Sequence, residues 1–176
     1  MKKALMFKIV VISAMLIGMF VPISPVGAES GKSYSFIFVG RNVTMRAWGL
    51  PRIYVPKVMD IKPGSYMILV GGGTFNPSTC AVSGGGAFAH FDPDGTLLCI
   101  GIWTVESFVS FDSGVLIITA KWTRVWSPIP EYKPMVIGTN FLEISKNGWT
   151  VWASINPDFP IFNVIVSGHV LFHQHR

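Results

Sequence analysis

The stretch GGGAFAHFDPDGT, residues 84–96, gathers four glycines, His90 between apolar neighbours, and Asp92 and Asp94 either side of Pro93. Three chemistries use such residues: backbone amides cradling a phosphate, carboxylates holding calcium, and an imidazole moving a proton. The first fails on pattern. GGGTF (71–75) and GGGAF (84–88) lack the G-x-x-x-x-G-K-[ST] spacing, and neither opens a helix whose N-terminus would attract an anion. The second fails because a calcium loop needs further acidic positions and a distal Glu, which DPDGT does not supply. His90 keeps a claim. Burial would hold it neutral, as a general base requires, but a core histidine shows the same property.

Other candidates are thinner. His169, His173 and His175 alternate along GHVLFHQHR with Leu171, which puts them on one face of a strand, with Val164, Val166, Val170 and Phe172 on the other. Histidines at i and i+2 can share a metal, with His90 as a candidate third partner, but no acidic residue close in sequence would orient them. The competing reading is a polar face at a frayed strand end. Ser107, Ser110 and Ser113 sit in no G-x-S-x-G elbow, and Glu106, Asp112, Glu131, Glu143 and Asp158 are scattered. No catalytic residue is assigned and no cofactor is implied. Asn42-Val43-Thr44 matches an N-glycosylation acceptor, which matters only in a host that glycosylates exported chains.

The elements that would position these residues follow a leader. Lys2, Lys3 and Lys8 precede an apolar run from Ile9 to Ile23, and Val26-Gly27-Ala28 offers small residues for cleavage. This is the pattern of a secretory signal peptide over 1–28, with an apolar run short of the roughly 20 residues of a membrane span. Residues 29–176 then form a single domain, expected secreted or in the cell envelope, touching a membrane only through the signal segment before cleavage. Three of the 14 Lys and Arg lie in that segment and all nine acids lie beyond it. The basic balance is therefore largely the signal's. Arg41, Arg46, Arg52, Lys57 and Lys62 are spaced apart, so nucleic-acid binding has no support.

Beyond the leader no 3.6-residue period persists. β-branched and aromatic runs alternate with Gly, Pro, Asn and Asp, predicting strands near 34–39, 43–48, 66–75, 80–91, 96–110, 114–125, 135–145, 149–155 and 161–173. FNPSTC and FDPDGT place Pro at the second turn position, FDSGVL reads as a hairpin, and SKNGWT carries the Asn-Gly signal. The fold class is all-β: an antiparallel meander closing into a roughly eight-stranded barrel, preceded by the signal-peptide helix. The simplest registers pair Phe88 with Cys99, His90 with Leu97, Gly86 with Gly101, Gly71 with Gly84, and Ile144 with Val151. They gather Gly71, Gly84 and Gly86 beside Trp103, whose ring can cover bare strand backbone. They also set Cys80 roughly 26 Å from Cys99, beyond disulfide reach.

With those positions in view, the run GGGTFNPSTCAVSGGGAFAHFDPDGTLLCIGIWTVESFVSFDSG resembles an uncharacterised secreted prokaryotic β domain. That domain's pattern is GGGxF, then GGGxFxHFxxDGT, then GxWxxxxFVSF. Gly84, Phe88, His90, Phe91, Asp94, Gly95, Gly101, Trp103 and Phe108 to Phe111 occupy its places. The resemblance brings no activity with it. In architecture the chain is also similar to dirigent and allene oxide cyclase-type barrels, which implies a fold and not a function. The expected role is a non-enzymatic binding module for a small apolar ligand or a glycan, with ligand-binding side chains Phe88, His90 and Trp103 in a cavity. A structural or adhesive exported surface protein is the alternative, and a barrel enzyme using His90 is the third reading.

Overall fold

The computed structural model describes residues 32–43, 64–152, 160–162 and 164–175. The expected signal segment and helix over 1–28, the stretch 44–48 and Ala153 lie outside them. Nine strands follow one another: β1 (Tyr34–Val43), β2 (Tyr66–Asn76), β3 (Ala81–Phe91), β4 (Leu97–Asp112), β5 (Val115–Trp126), β6 (Met135–Ser145), β7 (Gly148–Trp152), β8 (Pro160–Phe162) and β9 (Val164–Gln174). Every pairing is antiparallel, in the order β8-β7-β6-β5-β4-β3-β2-β1-β9. β8 pairs with β7 while β9 pairs with β1, so these two neighbouring segments take up the two edges. The result is the expected all-β architecture, a nearly closed barrel of eight antiparallel strands.

Period-two alternation decides which side chains enter the barrel. Along β5, Leu116, Ile118, Ala120, Trp122 and Arg124 are buried, while Lys121 and Val125 face outward. Phe36, Phe38, Leu69, Phe88, Trp103 and Leu142 extend the same core from the other strands. At one end an aromatic group closes the interior: Phe75 lies 4.8 Å from Phe111 and 5.1 Å from Tyr34, ring centre to ring centre. Where the edges meet, a Cβ on Gly40 would fall 2.7 Å from Trp149 Nε1, and the Asn42 amide donates to the Trp149 carbonyl.

The turns obey their residues. In FDPDGT, Gly95 N–H donates to Asp92 O at 2.9 Å, Thr96 N–H donates to Asp94 Oδ1 at 2.8 Å, and Gly95 takes φ +88°. In FNPSTC, Asn76 Oδ1 accepts from the Ser78 amide at 2.9 Å. Ser113 and Gly114 both take positive φ, at 50° and 79°, as a two-residue type I′ hairpin requires.

The registers differ from the simplest ones by two residues. Gly71 faces Gly86, Phe88 faces Gly101, His90 faces Cys99, and Ile144 faces Trp149. In β3–β4 one step comes from Pro93-Asp94-Gly95 making a three-residue loop, and the second from a bulge between His90 and Phe91. In β6–β7 the turn is centred on Lys146-Asn147, not Asn147-Gly148. Two steps restore the alternation, so every inward residue stays inward.

The glycine and tryptophan arrangement survives the shift. Gly71, Gly86 and Trp103 occupy one register row across β2, β3 and β4. A Cβ on Gly86 would lie 2.6 Å from Gly71 Cα and 2.8 Å from Trp103 Nε1, which instead donates to Val70 O at 3.1 Å. Gly84 does not join them; it packs on Gly72 and Gly73 at φ +154°. Trp103→Ala should cost about 3–5 kcal/mol by denaturant unfolding. Gly86→Ala should cost about 1–3 kcal/mol through overpacking. Because the added methyl meets the Val70 and Gly71 backbone as well as the Trp103 ring, the double variant should keep most of the Gly86→Ala loss on top of the Trp103→Ala loss.

Candidate functional site

Phe88, His90 and Trp103, expected to line a cavity, lie inside the barrel and are fully shielded from solvent. Phe88 and His90 point inward from one strand, and Trp103 from the next. Trp122 joins them: its ring lies 5.4 Å from Phe88 and 6.3 Å from Trp103, and Phe38 sits 5.6 Å from the other side of Trp103. A ligand reaching these side chains would have to displace core aromatics.

The polar residues inside cluster in register toward the DPDG end. Asn42, Met67, His90 and Cys99 follow one another in a row across four strands, and Arg124 enters one step along, opposite Gly101. Asn42, His90 and Arg124 are all buried. The Arg124 Nε–H donates to Lys133 O at 2.7 Å, and its guanidinium stands 5.0 Å over the Tyr132 ring. Desolvation lowers the His90 pKa to about 4, against an opposing pull from Asp92. Burial raises the Cys99 pKa to about 11, and the Arg124 charge only partly offsets it. His90 and Cys99 therefore face each other as neutral imidazole and neutral thiol. A Cys–His nucleophile works as a thiolate, which this environment disfavours.

In sequence Asn42 stands out only as a glycosylation acceptor and Arg124 not at all, yet the signal of their burial is present. Asn42 is in phase with Phe36 and Phe38, and Arg124 with Ile118 and Trp122. A polar residue in phase with a core face is a buried polar residue. The same phase hides the glycosylation acceptor, since the Asn42 side chain lies wholly inside the folded barrel. Asn42 Oδ1 and the indole nitrogens of Trp122 and Trp149 are buried without a hydrogen-bond partner among the described residues.

Three further placements complete the candidates. Cys80 is exposed in the β2–β3 turn, Cys99 is buried, and both are free thiols. His169, His173 and His175 all point outward and are exposed, and His90 is inside, so His90 is no third partner for them. Among the described residues no three His, Cys, Asp or Glu come together as a metal site. Asp92 and Asp94 serve the turn.

Part of the outer face is apolar. One register row runs Val39, Val70, Ala87, Ile102, Thr123, Val136 across six strands. Val70 is shielded, but Val39, Ile102 and Val136 are each nearly half exposed. In the adjoining row Leu171 pairs with Ile37, and these are 69% and 50% exposed. Gly72 and Gly85 continue that row, leaving flat backbone beside the apolar side chains.

Comparison with protein-family models, curated proteins and solved structures finds no match.

Two outcomes are expected. His90 binds its proton more weakly in the folded state, so between pH 6.5 and about 4 the unfolded chain holds more protons. Stability should therefore fall as pH drops through that window, by about 3 kcal/mol in all. Thermal melts of His90→Gln should show a much flatter profile over the same range. A thiol reagent should label Cys80 at once in the native protein, and Cys99 only when denaturant opens the barrel.

Proposed function

We propose that this chain is an exported, non-catalytic interaction module that acts through the outside of its barrel, associating with further copies of itself. The observation that carries this reading is the outward apolar belt through Val39, Ile102 and Val136, adjoined by Leu171 and Ile37. Contiguous exposed apolar surface on a soluble fold marks an interaction site more often than scattered residues do. The interior supports it in a second way. Phe88, His90 and Trp103 are committed to the core, so a small-ligand role would need those side chains to rearrange, whereas the belt is already presented. The neutral His90 and Cys99 pair favours packing over covalent chemistry. Export rests on the n-region lysines, the apolar run and the Val26-Gly27-Ala28 site.

Association should appear in light scattering of the mature chain as a mass that rises from low to high micromolar concentration. Ile37→Asp with Leu171→Asp, and separately Ile102→Asp, should hold the protein monomeric. Each exposed substitution should leave the melt within about 0.5 kcal/mol of the parent. A parent chain that stays monomeric throughout, or variants that associate equally well, would overturn the reading.

A further inference from the structure

The end of β9 is not frayed. The His175 amide donates to Ser33 O at 2.8 Å, and His173 faces Ser35 in the β1–β9 register. Both backbones are thus held, and both side chains lie on the outer face two residues apart. Their rings stand 5.1 Å apart, centre to centre, at 82°. Two imidazoles ligating one tetrahedral ion, each nitrogen about 2.0–2.1 Å from it, bring their ring centres about 5 Å apart. The observed spacing matches that distance.

We propose that His173 and His175 form a two-histidine chelate for a divalent transition-metal ion on the outer face of β9. Imidazole donors suit Cu2+, Ni2+ and Zn2+, and the order of intrinsic affinity places Cu2+ first. The remaining coordination positions go to water, because His169 lies four residues back along the strand, about 13 Å away. The sequence pattern grouped three histidines; the strand geometry separates one from the other two. The nearest outward groups on β1 are Ser35 and Ile37, and Lys32 is the adjacent charge. The anchoring at Ser33 makes the pair pre-organised, which reduces the ordering cost of binding.

The test titrates Cu2+ into the mature chain carrying Cys80→Ser, which removes the exposed thiol that would otherwise bind or reduce the ion. Binding is followed by calorimetry and by electron paramagnetic resonance. The expected result is one site whose spectrum carries coupling to two equivalent-type nitrogens. His173→Ala and His175→Ala should each weaken it by about tenfold or more, and His169→Ala should leave it unchanged. Zn2+ should compete for the same site. Loss on His169→Ala equal to the other two, or binding that survives both His173→Ala and His175→Ala, overturns the proposal, as does the absence of binding. None of these outcomes depends on self-association, because the metal is titrated into dilute monomer.

Discussion

The indole of Trp103 lying across Gly71 and Gly86 is the contact on which the barrel interior turns. It requires two strands to carry no side chain where the ring passes, and it satisfies its own N–H on the Val70 carbonyl between them. Phe38 and Trp122 then pack against its two sides, and Phe88 packs on Trp122. A bare glycine pair in a strand weakens the sheet by itself, since it adds unfolded-state entropy and buries nothing. Here the loss is offset by a large aromatic area removed from water, and the sheet gains room to curve tightly around its core. The glycine-rich look of 71–73 and 84–86 is thus a requirement of packing.

Against that apolar centre, the polar row at the DPDG end is costly. Asn42, His90 and Arg124 are buried where Leu or Val would serve the hydrophobic core better. Neutral His90 and Cys99 lessen the cost by declining charge. Arg124 cannot do so, and instead reaches the Lys133 carbonyl and the Tyr132 face. The β5–β6 connection, with Pro128, Pro130 and Pro134, is tied down by Arg124 together with the Ser127 hydroxyl, which donates to the Leu98 carbonyl, and the Tyr132 amide, which donates to the Ile129 carbonyl.

Much of this was legible in the residues. Pro93, Gly95, Asn76 and Ser113-Gly114 mark turns for reasons of backbone geometry alone, and they hold. Alternation gave the inward faces correctly because it has a period of two, and each register error amounted to two residues. What escaped was local and additive: a bulge beside His90 and a turn centred one residue early at Asn147. The site was less legible. Phe88, His90 and Trp103 were grouped by sequence and all lie inside the barrel, but whether a barrel is filled or hollow depends on summed side-chain volumes from all its strands. The outer belt is invisible in any single strand, since Val39, Ala87, Ile102 and Val136 share a row only through five separate registers.

One pairing has a temporal consequence. β1 finds one neighbour in β2 and the other in β9, far along the chain. Until residues 164–174 pair with it, β1 has an open edge. Contacts this distant in the chain close slowly, because the loop entropy is spent before the contact rewards it. Local hairpins from β2 to β7 can assemble early, but the barrel closes only when 164–174 pair with β1.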